Sequence, residues 1–331
     1  MNQASSIAKS LKKHTPRGIW KIIRKSKHLM LIQARRLIEN LGFIITRATD
    51  YYGPTPSENA LRRKSNRWIK PSSLKGVHYD LGKMRQKLAN LCNQYLNEFE
   101  KLPPYNSIKN AGFGPGYPQV DAFVSYAMIR EINPRRYLEV GSGMSTYYAN
   151  CAIQRNLQNG GKGQITCVEP FPYSALQTIS GITLLESEVQ DVPMDRFLEL
   201  GHGDILFIDS SHIVKIDGDV PFLFLEVLPA LRTGVYIHIH DIPFPYNIPF
   251  PPNYWTLLDH EESPHWPMFW NEAMLLQALL CNSSAFNIEI SCPLLRHFSE
   301  DCLKETLPFY RSVKEEANTF SSIWLCKKEA N

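Results

Sequence analysis

The chain has 331 residues, 44% hydrophobic and 21% charged, a composition that excludes a disordered or fibrous class. No apolar run approaches the roughly 18–20 residues of a spanning helix, and the basic first thirty residues lack the apolar core and cleavage site of a secretion signal. The net charge of +4 hides an asymmetry, since residues 1–90 hold 20 Lys and Arg against four acids while the remainder hold 16 against 28.

That basic part suits an anionic membrane surface, a nucleic acid, the acidic part of its own protein, or plain solvent. The seven cysteines are scattered without CxxC spacing, which argues against a disulfide framework or a zinc knuckle and for a reducing, cytoplasmic setting, to which the basic N-terminus adds a peripheral membrane association. A homo-oligomer is compatible with all of this.

In chain order, the first expected element is a basic amphipathic helix from about Trp20 to Gly42, with Ile22, Ile23, Leu29, Leu31, Ile32 and Leu37 among cations. Residues 50–76 carry turn and breaker signals and no clean period, as an irregular linker does. A second helix is expected from about Tyr79 to Lys101, with Leu81, Met84, Leu88, Leu91, Cys92, Tyr95 and Leu96 at helical spacing. The reading assigns residues 1–110 to a mainly helical extension and 111–331 to a second domain.

From Phe113 short apolar runs alternate with helical segments, the signature of a parallel sheet with crossover helices. Strands are expected at Tyr137–Val140, Gln164–Glu169, Ile182–Glu186, Asp204–Asp209, Val235–His240, Phe286–Ser291 and Ser321–Cys326. This is an α/β fold, a doubly wound seven-stranded sheet.

The first of these strands breaks into a helix across Gly141-Ser142-Gly143, where small residues let backbone N–H groups approach a ligand at the carboxyl end of the sheet. Glu139 stands two residues earlier and suits a cationic ligand group, and Glu169 at the next strand tip can accept both hydroxyls of a ribose. A dinucleotide would favour a glycine where Thr146 stands, and its pyrophosphate would be repelled by a carboxylate. In the fifth strand, period-two alternation puts Tyr236, His238 and His240 on one side, with His240 and Asp241 emerging at its carboxyl end.

An acidic residue followed by GxG resembles motif I of class I S-adenosylmethionine-dependent methyltransferases, and Glu188-Val189-Gln190-Asp191 resembles the adenine-contacting segment of their catechol O-methyltransferase-like branch. The resemblance implies a Rossmann-like sheet with an antiparallel last strand and S-adenosyl-L-methionine as donor. It also implies a donor site of Glu139, Gly141, Ser142, Gly143, Glu169, Gln190, Asp191 and Asp209, with Tyr117 near the methionine end. In that branch the fourth strand ends in an aspartate that binds a divalent metal, and a residue three positions later serves as base; here these are Asp209 and His212.

Related metal-dependent enzymes carry Asp-Asn where this chain has His240-Asp241. The implied ligand set is Asp209, His240 and Asp241, and an imidazole in it favours a softer ion over magnesium, with manganese and iron as the other expectations. His212, Asp209 and Asp241 are the expected catalytic residues.

Residues 242–269 hold seven prolines and many aromatics, as substrate lids do. His-Asp-Ile-Pro followed by Trp270-Asn271-Glu272 resembles bacterial methyltransferases that modify small molecules and saccharides. The expected reaction is methyl transfer to a hydroxyl or amine of such an acceptor. The alternatives from other classes are a scaffold that binds the donor without turnover, a nucleic-acid methyltransferase gripping through the basic N-terminus, and a metal-dependent oxygenase on the same fold. Against the nucleic-acid reading, the chain has no Asn-Pro-Pro-Tyr motif for base flipping.

Overall fold

A computed structural model of the chain describes residues 17–44, 52–53, 55–114, 116–253, 256–257, 268–310 and 319–329. It divides into two compact units, Met1–Arg63 and Lys64–Asn331.

In the first unit, helix α1 spans Arg17–Glu39 and leaves Leu29, Met30, Leu31 and Leu37 exposed. The expected side-chain pattern before residue 26 lies outside the described residues. No helix among the described residues is long and apolar enough to cross a membrane. The stretch read as an irregular linker contains two short helices, Glu58–Arg63 and Ser65–Trp68. Elements of four to six residues make barely one turn, so they leave no hydrophobic period to read; the first starts where Ser57 accepts the Ala60 N–H.

The second unit begins upstream of the expected boundary at residue 110. Helix α2, Leu81–Phe99, is capped by Asp80, whose side chain accepts the Lys83 N–H at 3.0 Å. It buries Met84, Leu88, Leu91, Cys92 and Phe99. The Phe99 ring meets Phe123 and Tyr126, both on helix α3 (Gln119–Ile132), at 5.4 and 5.6 Å. Glu98 closes the contact through the Arg130 guanidinium at 2.6 Å and the Tyr126 hydroxyl at 2.5 Å. Helix α2 is thus part of the sheet-bearing unit.

All seven expected strands form, within two residues at each end: β1 Arg136–Val140, β2 Gln164–Val168, β3 Ile182–Leu185, β4 Ile205–Ile208, β5 Tyr236–Ile239, β6 Phe286–Ser291 and β7 Ile323–Lys327. Their order is β3-β2-β1-β4-β5-β7-β6. The first five are mutually parallel, and β7 runs antiparallel between β5 and β6. This is the Rossmann-like doubly wound sheet expected from the sequence. Strand β4, Ile-Leu-Phe-Ile between β1 and β5, is wholly apolar and buried at every residue, as burial on both faces requires, while the parallel strand β3 forms one edge of the sheet. Strand order reverses between β1 and β4, and the crevice at such a switch point is where open α/β sheets bind ligands.

Candidate active site

The glycine turn lies at that switch point. Gly141 has a φ of +85° and Gly143 leads into helix α4, Met144–Gln158. A Cβ on Gly141 would strike the backbone carbonyl of Asp209, and one on Gly143 would come within 2.6 Å of the Phe113 carbonyl. Both glycines are therefore required by close backbone approach, with Gly141 also in a left-handed conformation. Thr146, where a dinucleotide fold prefers glycine, accepts the Gly143 N–H at 3.0 Å. The Ser142 hydroxyl is buried with no hydrogen-bond partner among the described residues.

Glu139 lies beneath this turn and is fully buried. Its carboxyl accepts from the Ser145 hydroxyl and, at 3.5 Å, from the Cys167 thiol. Burial pushes its pKa up to about 8, against these hydrogen bonds. A group whose folded pKa lies above its unfolded value binds more protons when folded, so it withdraws stability as pH rises from the unfolded value toward 8. Glu139→Gln is therefore expected to raise the melting temperature of the ligand-free protein at pH 8, by at least about 2 °C, while weakening a cationic ligand. Thermal melts with and without S-adenosylmethionine check both signs.

At the tip of β2, Glu169 is partly exposed, and its Oε1 accepts the Phe171 N–H at 2.8 Å, which fixes the carboxylate at the sheet edge. Gln190 and Asp191 sit in the short 3-10 turn Val189–Asp191 beyond β3. The Gln190 amide donates to the Asp217 carbonyl at 2.9 Å and Asp191 is exposed.

The charged cluster follows β4 and β5. Asp209 comes one residue after β4, its N–H bonded to Val140 O at 2.8 Å, and His240 comes one residue after β5, its N–H bonded to Ile208 O at 2.9 Å. The ladder thus extends just past both strands and sets the two side chains together. Asp241 and His212 both have positive φ, 58° and 61°, which turns their side chains back toward the strand tips.

The His240 Nδ1 lies 3.4 Å from both Asp209 Oδ1 and Asp241 Oδ2, and the His212 Nε2 lies 3.5 and 3.3 Å from the same two atoms. The outer nitrogens are held by buried carboxylates, His240 Nε2 by Asp121 at 3.1 Å and His212 Nδ1 by Glu272 at 2.8 Å. Burial disfavours the charge on both rings, but these carboxylates together with Asp209 and Asp241 outweigh it. His240 is raised well above the usual imidazole range and His212 to about 9. Burial likewise works against the Asp241 carboxylate, yet the His240 charge pulls its pKa down.

Asp209, His240 and Asp241 can each offer one donor atom, all within 4.8 Å of one another. The His240 Nδ1 makes no hydrogen bond of good geometry and faces the Asp209 and Asp241 carboxylates at 3.4 Å, so a cation between the three would take the place of its proton. The donor set fits a divalent ion. One imidazole with two carboxylates suits manganese or iron better than magnesium.

His238, on the same side of β5, is outside this cluster: its Nε2 meets Ser322 Oγ at 2.8 Å, its ring stacks on Trp324 at 4.2 Å, and burial keeps it neutral. Tyr117 is buried with its ring 5.1 Å from that of His240. Neither Asp121 nor Glu272 is among the expected site residues; Glu272 enters the sequence reading only within the Trp270-Asn271-Glu272 motif, and Asp121 only as one polar position of a mainly apolar helix. Asp121 also accepts the Ser321 and Ser322 N–H groups at 2.9 and 3.2 Å, tying α3 to the segment entering β7.

Of the proline-aromatic stretch, residues 254–255 and 258–267 lie outside the described residues. Its beginning is anchored. Ile242 and Phe244 are fully buried, and the Pro245 carbonyl accepts the Ser72 N–H at 2.7 Å.

Residues 138–242 match the family model of a methyltransferase domain. An uncharacterized protein of Archaeoglobus fulgidus is 26% identical over 190 residues, covering 53% of this chain and 82% of its own. Among solved structures, the chain is similar to an O-methyltransferase from Bacillus cereus in complex with S-adenosylhomocysteine, at 12% identity, a TM-score of 0.41, and coverage of 74% of this chain and 100% of that one. It is also similar to an O-methyltransferase of tomaymycin synthesis from Streptomyces achromogenes in complex with S-adenosylmethionine, at 14% identity, a TM-score of 0.37, and coverage of 80% and 99%.

Proposed function

We propose, from the methyltransferase-domain match over residues 138–242, that this chain is a class I S-adenosylmethionine-dependent methyltransferase and methylates a hydroxyl or amine of a small molecule or saccharide, with Asp209, Asp241 and His212 managing the acceptor. The observation that carries this reading is the placement of that cluster against the glycine turn, with the Asp209 main chain touching Gly141 and its side chain facing the two histidines.

On one side of this contact, Gly141, Ser142 and Gly143 admit the donor closely, with Glu139 and Tyr117 toward its cationic methionine end. Glu169 takes the ribose hydroxyls, and Gln190 and Asp191 the adenine. When bound, S-adenosylmethionine supplies an already activated methyl group, so this chain's task is to align an acceptor and remove one proton. On the other side, Asp209 and Asp241 orient the acceptor, and His212 Nε2, in the neutral form that becomes abundant as pH approaches 9, receives its proton, so transfer is expected to quicken as pH rises toward that value.

A divalent cation held by Asp209, His240 and Asp241 would orient an acceptor hydroxyl and make it more acidic. His240 would then be occupied, which leaves His212 as the base. The exposed Leu29, Met30, Leu31 and Leu37 on a strongly basic helix further support a peripheral contact of α1 with an anionic membrane surface.

Isothermal calorimetry with S-adenosylhomocysteine tests the donor site. Glu169→Ala is expected to weaken binding about 10- to 100-fold, the scale of hydrogen bonds to a charged group. Unchanged affinity removes Glu169 from the site, and no affinity in the wild type overturns the whole reading.

A further inference from the structure

Glu272 opens helix α5, Glu272–Leu280, whose remaining residues are apolar except Gln277. It is 1% exposed, and a carboxylate so placed is costly to bury unless it is paired. Its Oε2 lies 2.8 Å from His212 Nδ1, while its Oε1 has no hydrogen-bond partner among the described residues.

The same short stretch grips His212 in two further ways. The N–H groups of Asn271 and Glu272 both reach the His212 carbonyl, at 3.0 and 3.2 Å, and the Asn271 side chain accepts the Val214 N–H at 2.6 Å. The Trp270 ring lies 4.4 Å from the His212 ring. Three consecutive residues thus fix one imidazole by its ring face, its main chain and one nitrogen. They also hold it at a φ of 61°, which a histidine rarely adopts without support.

A neutral imidazole has one N–H and one lone pair, and an ionised carboxylate can only accept. We propose that Glu272 is the positioning residue of the active site: by accepting the Nδ1–H it places the His212 lone pair on Nε2, the nitrogen that faces Asp209 and Asp241. Without Glu272 the carboxylates left beside the ring are Asp209 and Asp241, 3.5 and 3.3 Å from Nε2, and they would draw the single hydrogen to the nitrogen where the acceptor proton must arrive. This assignment rests on the reading of His212 as base, and it treats the buried carboxylate as part of the catalytic geometry instead of a structural ion pair.

Histidine-selective 15N NMR of the full chain tests it, recorded in alkaline buffer where the ring is neutral, with the His212 signals assigned by their loss in H212Q. The expected result is a wild-type His212 protonated at Nδ1 and bare at Nε2. In E272Q this preference is expected to be lost as the hydrogen shifts toward Nε2, with partial recovery in E272D and a melting temperature within a few degrees of wild type. On any acceptor the wild type methylates, E272Q is expected to lower kcat at least 10-fold with the donor KM unchanged.

A wild-type ring protonated at Nε2 overturns the proposal by itself, even if the variants fail to fold. So does an E272Q ring with the wild-type tautomer. A protein that shows the expected tautomer but does not bind S-adenosylhomocysteine would count against the methyltransferase reading and not against the Glu272–His212 pairing.

Discussion

Gly141→Ala is expected to cost the protein both stability and donor binding. The new Cβ has nowhere to go, because it meets the Asp209 carbonyl, a main-chain atom held by the β4 ladder, and the residue sits at a φ of +85°. Left-handed strain of about 1–2 kcal/mol and a forced backbone shift of about 1–3 kcal/mol add in the same direction. A fall in melting temperature of at least about 5 °C follows, with S-adenosylhomocysteine affinity lost even in the folded fraction. Differential scanning calorimetry and ligand titration read the two effects separately. A stable variant with wild-type affinity would remove the turn from the donor site.

Asp209→Ala is the complementary experiment, because the main chain of Asp209 serves the donor pocket while its carboxylate serves the cluster. The substitution keeps the carbonyl that backs Gly141 and removes the oxygen that lies 3.5 Å from His212 and 3.4 Å from His240. Methyl transfer is therefore expected to fall by about 10²–10⁴-fold, the range for losing positioned acid-base chemistry, with donor affinity within a few-fold of wild type. Turnover on an acceptor found by screening, set beside calorimetric affinity, decides it. Parallel loss of donor binding would move the Asp209 side chain from the acceptor side to the donor side.

Much of the site was legible before any coordinates because α/β sheets place ligands at strand tips, and strand tips can be read from where apolar runs stop. Asp209, His240 and Asp241 each end such a run, and β4 and β5 are neighbours. Their convergence follows from the sheet itself. His212 was legible only as a position three residues past Asp209, and its return to the cluster depends on a left-handed turn that no spacing rule announces. Asp121 was silent, and Glu272 was legible only as part of a motif, with no role attached to it. They come from helices 119 and 60 residues away in sequence from the histidines they hold, and an acid in a mainly apolar helix looks the same whether or not it has a partner.

The amino-acid order alone determined the α/β class, the position of all seven strands, the glycine turn and the acids at the ends of β1, β2 and β4, since each depends on hydrophobic period or on a local backbone requirement. The tertiary structure decided which nitrogen of each histidine faces inward, that His238 belongs to the core while His240 belongs to the cluster, and that helix α2 belongs with the sheet. Those outcomes depend on side chains brought together from distant parts of the chain, where burial and charge pairing, not local pattern, set the result.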